Sequence, residues 1–359
     1  MTIRYAMIGG GPGAMIGEAH RMTARAAGFE LVAGAFSSDP AKSQAQAVKS
    51  GLEAARGYAT WPALIADAGA LALDAIVIVT PNHLHAQPAI AALNAGLHVV
   101  CDKPLAVSVA QAEAIAEAAR AANRIVGVTC TYAGFGGPQL AAKIVAEGGI
   151  GSLRLVQAEY CQDWLATKLE DGGQGPAAWR TDPARSGPAG ATGDIGSHLW
   201  QMIEIVTGRR AAALSADLTA LVEGRMLDDT ALIRLRYPDG ARGQMTITQA
   251  AVGGAGLRFQ IMGDTGGVIW RQDDPLHVTL MKKGGATEVF DVANEGPFAA
   301  VKGPPIGFLD AFVDLYRRFG GAIRGEAVSY PGVEDGVRGM AFIEAAVASS
   351  KADGAWLTL

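Results

Sequence analysis

Lys103, Asp194 and His198 are the side chains whose types and spacing most invite chemistry. Asp194 and His198 are four residues apart, so on a helix they share one face. The pattern predicts a helix over residues 194–206, with Gly208 as its C-terminal stop. A carboxylate would then stand near an imidazole, where it can orient the ring or hold a ligand hydroxyl. Histidine titrates nearest neutral pH, and a lysine ammonium is a compact donor. Such a set can take a proton from an oxygen and stabilise the charge left behind. Plainer roles compete. Lys103 precedes a helix-starting proline, His198 is a partly buried histidine at a helix start, and Asp194 is a preferred N-cap type.

A second chemical feature lies at the chain start. A strand-like run over residues 3–8 leads into Gly9-Gly10-Gly11-Pro12-Gly13, and a helix pattern follows over 16–27. Glycines let backbone amides approach a pyrophosphate, and the helix N-terminus supplies positive potential. Gly9, Gly11, Gly13 and Gly17 are the expected cradle. Their spacing departs from G-x-G-x-x-G, since the helix-packing glycine is Gly17, three positions late. A plain βα turn is the alternative. The second strand, 31–35, runs into Phe36-Ser37-Ser38-Asp39-Pro40-Ala41-Lys42. No acidic residue directly follows it. Ser37, Ser38 and Lys42 could hold a 2′-phosphate, whereas Asp39 could reach a ribose or simply cap the next helix. NAD and NADP therefore both remain open.

The elements that must position these groups fall into two patterns. Strand-like runs at 3–8, 31–35, 75–80, 98–101 and 125–128 alternate with helical stretches at 16–27, 87–95 and 109–122. That alternation predicts a parallel Rossmann sheet over residues 1–128. Runs at 153–160, 213–221, 231–237, 243–249, 257–262 and 278–281 have few helices between them, and Tyr237-Pro238-Asp239-Gly240 is a hairpin-turn signal. Residues 129–359 are thus expected to form an α/β domain with a large, mainly antiparallel sheet. Late helices at 308–320 and 333–350 are expected at the domain junction. The longest irregular stretch, 163–193, is rich in Gly and Pro, and loops of that length often serve function. Leu232, Ile233, Leu235, Met245 and Ile247 offer more apolar surface than one helical layer needs, so the open sheet face is expected to join another subunit, as a homodimer or homotetramer; the alternative is that all five are internal.

The 359 residues are half apolar and carry a net charge of -5, with no basic stripe to suggest a nucleic-acid partner. No apolar run is long enough for a membrane span, and the start lacks signal-peptide character. Cys101, Cys130 and Cys161 form no framework and fit a reducing, cytoplasmic setting. His83 and His85 have no accompanying ligand cluster, so no metal is expected. His20 is structural or near the cofactor. Trp164, Trp179 and Trp200 either shape a ligand pocket or pack in a core.

Val79-Thr80-Pro81-Asn82-His83-Leu84-His85, Asp102-Lys103-Pro104 and Gly193-Asp194-Ile195-Gly196-Ser197-His198 occur in that order after the glycine loop. Together they resemble the Gfo/Idh/MocA family, named for glucose-fructose oxidoreductase, inositol dehydrogenase and a rhizopine-catabolism protein. The family's T-P-N-x-x-H stretch is intact, its E-K-P stands as Asp-Lys-Pro, and the third block is similar to its D-x-G-x-H. Trp179-Arg180 fits a substrate-side loop of many members. The resemblance covers essentially the whole chain. It implies that Thr80, Asn82 and His85 line the nicotinamide end of NAD or NADP, and that Lys103 sits beside the reacting carbon. It places Trp179, Arg180, Asp194 and His198 on the substrate side. The implied activity is hydride transfer between the nicotinamide and a hydroxyl or keto carbon of a sugar, glycoside or inositol-like polyol. His198 or Lys103 would be the final base. An NAD-dependent glycoside hydrolase acting by transient oxidation and a silent sugar sensor are the alternatives.

Overall fold

An unbroken apolar run marks a strand covered on both faces, and the run Ala75–Val79 is buried at all five positions. The computed structural model describes residues 2–172, 175–285, 287–293, 295–301 and 306–359. That buried run is β3 of a sheet with β1 (Ile3–Gly9), β2 (Phe29–Ala35), β4 (His98–Cys101) and β5 (Val126–Val128). The order is β2-β1-β3-β4-β5, and every pair is parallel. The crossovers carry α1 (Met15–Ala26), α2 (Pro40–Lys49), α3 (Trp61–Ala66), α4 (Ala86–Asn94) and α5 (Val109–Ala122). From β1 the chain steps to one side and then returns to β3 on the other. A crevice opens at the carboxyl ends of strands at such a reversal, and ligands bind there.

The second unit is built on α6 (Gly136–Ala146), β6 (Leu153–Cys161), α7 (Gly175–Arg180), α8 (Pro183–Ser186) and α9 (Ser197–Thr207), then β7 (Ala213–Thr219), β8 (Thr230–Arg236), β9 (Arg242–Thr248), β10 (Gly256–Gly263), β11 (Gly266–Arg271), β12 (Asp274–Lys282) and β13 (Thr287–Asp291). After α10 (Phe308–Ile323) and α11 (Val333–Lys351), the short β14 (Leu357–Thr358) completes the sheet. Among the described residues its order is β13-β12-β11-β10-β6-β9-β8-β7-β14. All pairs are antiparallel except β6 and β9, which run parallel with Cys161 opposite Thr248. The expected turn at Tyr237–Gly240 joins β8 to β9, with Gly240 at φ +92°.

Four of the five apolar residues expected on an open sheet face point inward. Ile233, Leu235, Met245 and Ile247 are fully buried, and of the five only Leu232 stands outside, beside Arg234, Arg236 and Gln244. Period-2 alternation decides this: Leu232 and Ile233 are neighbours, so they face opposite ways. Those four side chains therefore belong to this chain's own core, the alternative left open by the sequence.

The first unit comprises the residues up to Cys130 together with Leu309–Arg338, and the second comprises Thr131–Phe308 with Gly339–Leu359. The expected break at residue 128 lies beside the observed one, but α10 joins the first unit. Its buried Phe312, Leu315, Tyr316 and Phe319 form one helical face. A Cβ at Gly127 of β5 would stand 2.5 Å from the Phe319 ring, so that glycine admits the helix. The start of α6, Gly136-Gly137-Pro138, reads locally as a loop. Gly137 is needed there because a Cβ would meet Trp270 Nε1 at 2.0 Å. The 163–193 stretch contains α7 and α8, and its Gly173 and Gln174 lie outside the described residues.

Candidate active site

In the first unit the glycine loop is shaped by close backbone approach. A Cβ at Gly11 would lie 2.7 Å from the Phe36 carbonyl oxygen, and one at Gly17 would lie 2.5 Å from Gly10 Cα. Gly17 is thus where α1 packs on the loop, which accounts for the late third glycine. Arg21 Nη1 donates to Gly10 O at 2.8 Å and fixes the same turn. Gly13, at φ +81°, has no atom within 4 Å of its would-be Cβ. No side chain caps the N-terminus of α1. Its amides are therefore available to an anion.

The loop after β3 meets this cradle. A Cβ at Gly9 would come 2.9 Å from Thr80 Cγ2. The Thr80 hydroxyl oxygen is buried without a hydrogen-bond partner. Asn82 is buried on the short turn Asn82–Leu84 that follows. His85 is fully buried between the loop after β3 and the loop after β4, with Nδ1 2.9 Å from Pro104 O and Nε2 2.8 Å from Thr80 O. A neutral ring donates to one of these carbonyls. Burial draws its imidazole below the usual range, against the opposing pull of Asp102 and the two carbonyls.

Asp102 and Lys103 stand at the end of β4. The Asp102 carboxylate accepts from Lys103 N at 2.9 Å and from Thr129 Oγ1 at 2.8 Å. Burial pushes this carboxyl up, but His20, Lys103 and the Thr129 hydroxyl outweigh it and hold the group below its ordinary value. His20 is structural: its Nδ1 lies 2.7 Å from Tyr316 Oη, and burial lowers its pKa to about 4. At the tip after β2, Asp39 caps α2, accepting from Ala41 N at 2.9 Å and Lys42 N at 3.2 Å. Ser38 and Lys42 are exposed beside it, and Ser37 is half-exposed. The uncapped α1 N-terminus, the open space at Gly13 and the orphaned Thr80 hydroxyl are features that fit a dinucleotide.

In the second unit a continuous polar chain joins side chains from separate segments. Arg180 Nε lies 3.3 Å from Asp194 Oδ2. The same oxygen accepts from Gln249 Nε2 at 2.9 Å. Gln249 also donates to Gln162 Oε1 at 3.3 Å, and Trp164 Nε1 donates to that oxygen at 3.1 Å. Gln162 Nε2 then donates to Tyr160 Oη at 3.1 Å, and Tyr160 Oη lies 2.7 Å from Tyr132 Oη. Burial raises the pKa of both phenols, so both keep their protons. The His198 ring stands edge-on to Tyr132 at 5.2 Å, and the Arg180 guanidinium lies 4.3 Å from the Trp179 ring centre.

The structure therefore brings Trp179, Arg180 and Asp194 together. Asp194 is not an N-cap: it lies in a π turn, Thr192–Gly196, that runs into α9. Such wide turns are frequent at functional sites. Gly208 ends α9 at φ +60°, as expected. Trp200 is core, stacked on Phe342 at 4.6 Å. Tyr132, Tyr160, Gln162 and Gln249 were not anticipated. Their signal is topological: Gln162 and Gln249 follow Cys161 and Thr248, the paired ends of the parallel strands β6 and β9. None of the described residues form a metal-ligand cluster, and no described helix is long and apolar enough to cross a membrane.

A parallel sheet with a glycine cradle at its switch point, followed by a unit rich in hydroxyl-matching groups, defines a two-unit dinucleotide-dependent oxidoreductase. Residues 3–130 match an oxidoreductase family model with an NAD-binding Rossmann fold, GFO/IDH/MocA, and residues 139–269 match a GFO/IDH/MocA C-terminal domain. The chain belongs to the GFO/IDH/MocA family of oxidoreductases and uses a nicotinamide dinucleotide. It is similar to an inositol dehydrogenase homolog from Azotobacter vinelandii solved with NAD+, at 30% identity and TM-score 0.90, over 100% of this chain and 98% of that one. The same homolog solved with NADH and myo-inositol matches at 29% identity and TM-score 0.88, with equal coverage. Levoglucosan dehydrogenase from Pseudarthrobacter phenanthrenivorans is 28% identical over 83% of this chain and 82% of that protein.

Proposed function

We propose that this enzyme transfers a hydride between NAD or NADP and a ring carbon of a cyclic sugar, glycoside or inositol-like polyol. The polar chain from Arg180 through Asp194, Gln249 and Gln162 to Tyr160 carries this reading. It alternates donors and acceptors, as a ligand with several adjacent hydroxyls requires, and Trp164 and Trp179 flank it as aromatic surfaces for an apolar sugar face. Relatives that bind myo-inositol or act on levoglucosan support the same class.

When bound, the dinucleotide takes or gives the hydride. In the oxidative direction the carbon–hydrogen bond breaks with its electron pair, and the hydroxyl loses its proton to His198 or Lys103. The Lys103 ammonium stabilises the developing oxyanion when His198 is the base. Asp194, held by Gln249 and Arg180, accepts a neighbouring hydroxyl and fixes which carbon reacts. A panel of sugars, glycosides and inositols, incubated with NAD and with NADP and followed by absorbance of the reduced cofactor, tests this. Turnover of a cyclic polyol is expected. Release of an aglycone without net cofactor reduction would instead show a hydrolase, and no turnover of any member would refute the substrate class.

A further inference from the structure

Apart from this polar chain lies an ion cluster in which buried Arg225 and Asp229 are joined by part-buried Glu170. The Arg225 side chain is 1% exposed and Asp229 is 0%. Arg225 spends its guanidinium on five acceptors: Glu170 Oε1 at 2.8 Å and Oε2 at 3.1 Å, Asp229 Oδ2 at 2.9 Å, Leu165 O at 3.0 Å and Thr167 O at 3.3 Å. A guanidinium has five N–H groups, so none is left over. Four of the five acceptors, on Leu165, Thr167 and Glu170, belong to the loop that continues from Gln162 and Trp164. Asp229 in turn accepts from Leu221 N at 2.9 Å and Val222 N at 3.0 Å, which anchors the cluster at the head of β8.

The preceding residue does the same for the other side of the polar chain. Asp228 accepts from Gly190 N at 2.6 Å, Thr192 N at 2.8 Å and Thr192 Oγ1 at 2.7 Å, at the entry to the π turn that bears Asp194. Two adjacent carboxylates thus fasten two separate segments: Asp228 holds the Asp194 turn directly, and Asp229 holds the Trp164 loop through Arg225. A core needing only stability gains little from a buried ion triad, since apolar replacements are often as stable. Five directional bonds instead fix one loop conformation.

We propose that Arg225 is a positioning residue for polyol recognition: with Glu170 and Asp229 it holds the 162–170 loop so that Gln162 and Trp164 stay in register with Asp194. The proposal rests on the polyol reading above and acts through geometry, since Arg225 touches no reacting atom. Misplacement of a binding group by about 1 Å can cost on the order of 10²-fold.

Three full-length variants test it: Glu170→Gln, which leaves the Arg225–Asp229 pair intact, Arg225→Lys, and Arg225→Met. Amide exchange over residues 162–172 is measured without substrate, and KM and kcat are measured with the polyol found by the panel. Faster exchange in this segment is expected in all three. The polyol KM should rise severalfold in Glu170→Gln and about 10- to 100-fold in the Arg225 variants, with the dinucleotide KM unchanged. Lysine should not rescue, because three donors on one nitrogen cannot span five acceptors. Unchanged exchange in folded Glu170→Gln overturns the fastening. Faster exchange with an unchanged polyol KM overturns the positioning role. If the parent turns over no polyol, the substrate class fails, while the exchange result still decides the fastening.

Discussion

The two units hold their chemistry by different means. In the first, the main chain does most of the work: Gly11 and Gly17 stand where no Cβ fits, and His85 ties two loops through their carbonyls. In the second, side chains from distant segments form a polar chain, with Tyr132, Tyr160, Gln162, Gln249, Asp194 and Arg180 linked end to end. A dinucleotide offers the same phosphates to every enzyme that uses it, so a fixed backbone cradle suffices. A polyol differs from its neighbours in hydroxyl pattern, and side chains can be exchanged to match it without rebuilding the fold. Substitutions should therefore separate into those that erase dinucleotide binding and those that change only the second substrate.

The largest effect expected crosses that division. Lys103→Ala and His198→Ala should each reduce turnover by about 10²–10⁴-fold, the range for a positioned acid–base group, while dinucleotide binding persists. Lys103→Arg should not restore it, because a planar guanidinium does not occupy an ammonium's place. The variant that loses the basic limb of the pH–rate profile identifies the base. Near-parental turnover in both alanine variants would remove the catalytic assignment.

Gly11→Val tests the backbone side. Its side chain would collide with the Phe36 carbonyl, 2.7 Å from the Cβ position. Dinucleotide affinity measured by calorimetry should fall by two orders of magnitude or more, a cost of about 3 kcal/mol. Parental affinity would show that the loop is no cradle.

The same contrast governs what could be read from sequence. The glycine loop, Thr80, Asn82 and Lys103 are contiguous motifs at strand ends, so local pattern is enough to propose them. Gln162 and Gln249 are 87 residues apart, and only the parallel pairing of β6 with β9 makes them neighbours. Arg225 is an unremarkable arginine in a loop until the fold encloses it. The capture of α10 by the first unit was hidden for the same reason, since an apolar helical face does not name its partner. The facing of Leu232, Ile233 and Leu235 was also left open by local pattern, and the pleat splits them between core and surface.

Acid stability probes a buried group beneath the backbone site. His20 is fully buried, and its pKa is lowered from 6.5 to about 4. The folded protein then holds the ring neutral where the unfolded chain would protonate it. Its contribution is full above pH 6.5 and is lost as pH falls toward 4, amounting to about 3 kcal/mol at the lower end. His20→Gln, which can still bond Tyr316, should show a shallower fall in Tm between pH 6.5 and 4 than the parent. Parallel curves would mean that His20 does not drive the acid response.

On the side-chain site, Gln249→Ala removes the donor shared by Asp194 and Gln162. The polyol KM should rise about tenfold, equivalent to ~1.4 kcal/mol, which is typical of one lost hydrogen bond to a charged partner. The dinucleotide KM should not move. An equal rise in both would show that the two halves of the chemistry are coupled, against the separation argued above.

The smallest effect concerns the one place where the backbone site must use side chains: the adenosine ribose. At the tip after β2, one carboxylate oxygen of Asp39 accepts from both Ala41 N and Lys42 N, which holds the group at the start of α2. Ser37, Ser38 and the Lys42 ammonium beside it would suit a 2′-phosphate, and the second Asp39 oxygen would suit a 2′-hydroxyl. Lys42 is exposed, so water screens it, and an exposed ion pair contributes only about 0.2–1 kcal/mol. Lys42→Ala should therefore weaken NADP by about two- to fivefold and leave NAD unchanged. Asp39→Ser provides the opposite arm, since serine keeps the cap while removing a negative charge; NADP affinity should rise by a similar factor. Equal effects of Lys42→Ala on the two dinucleotides would take the lysine out of that role and leave the cofactor choice to the serines and the α2 amides.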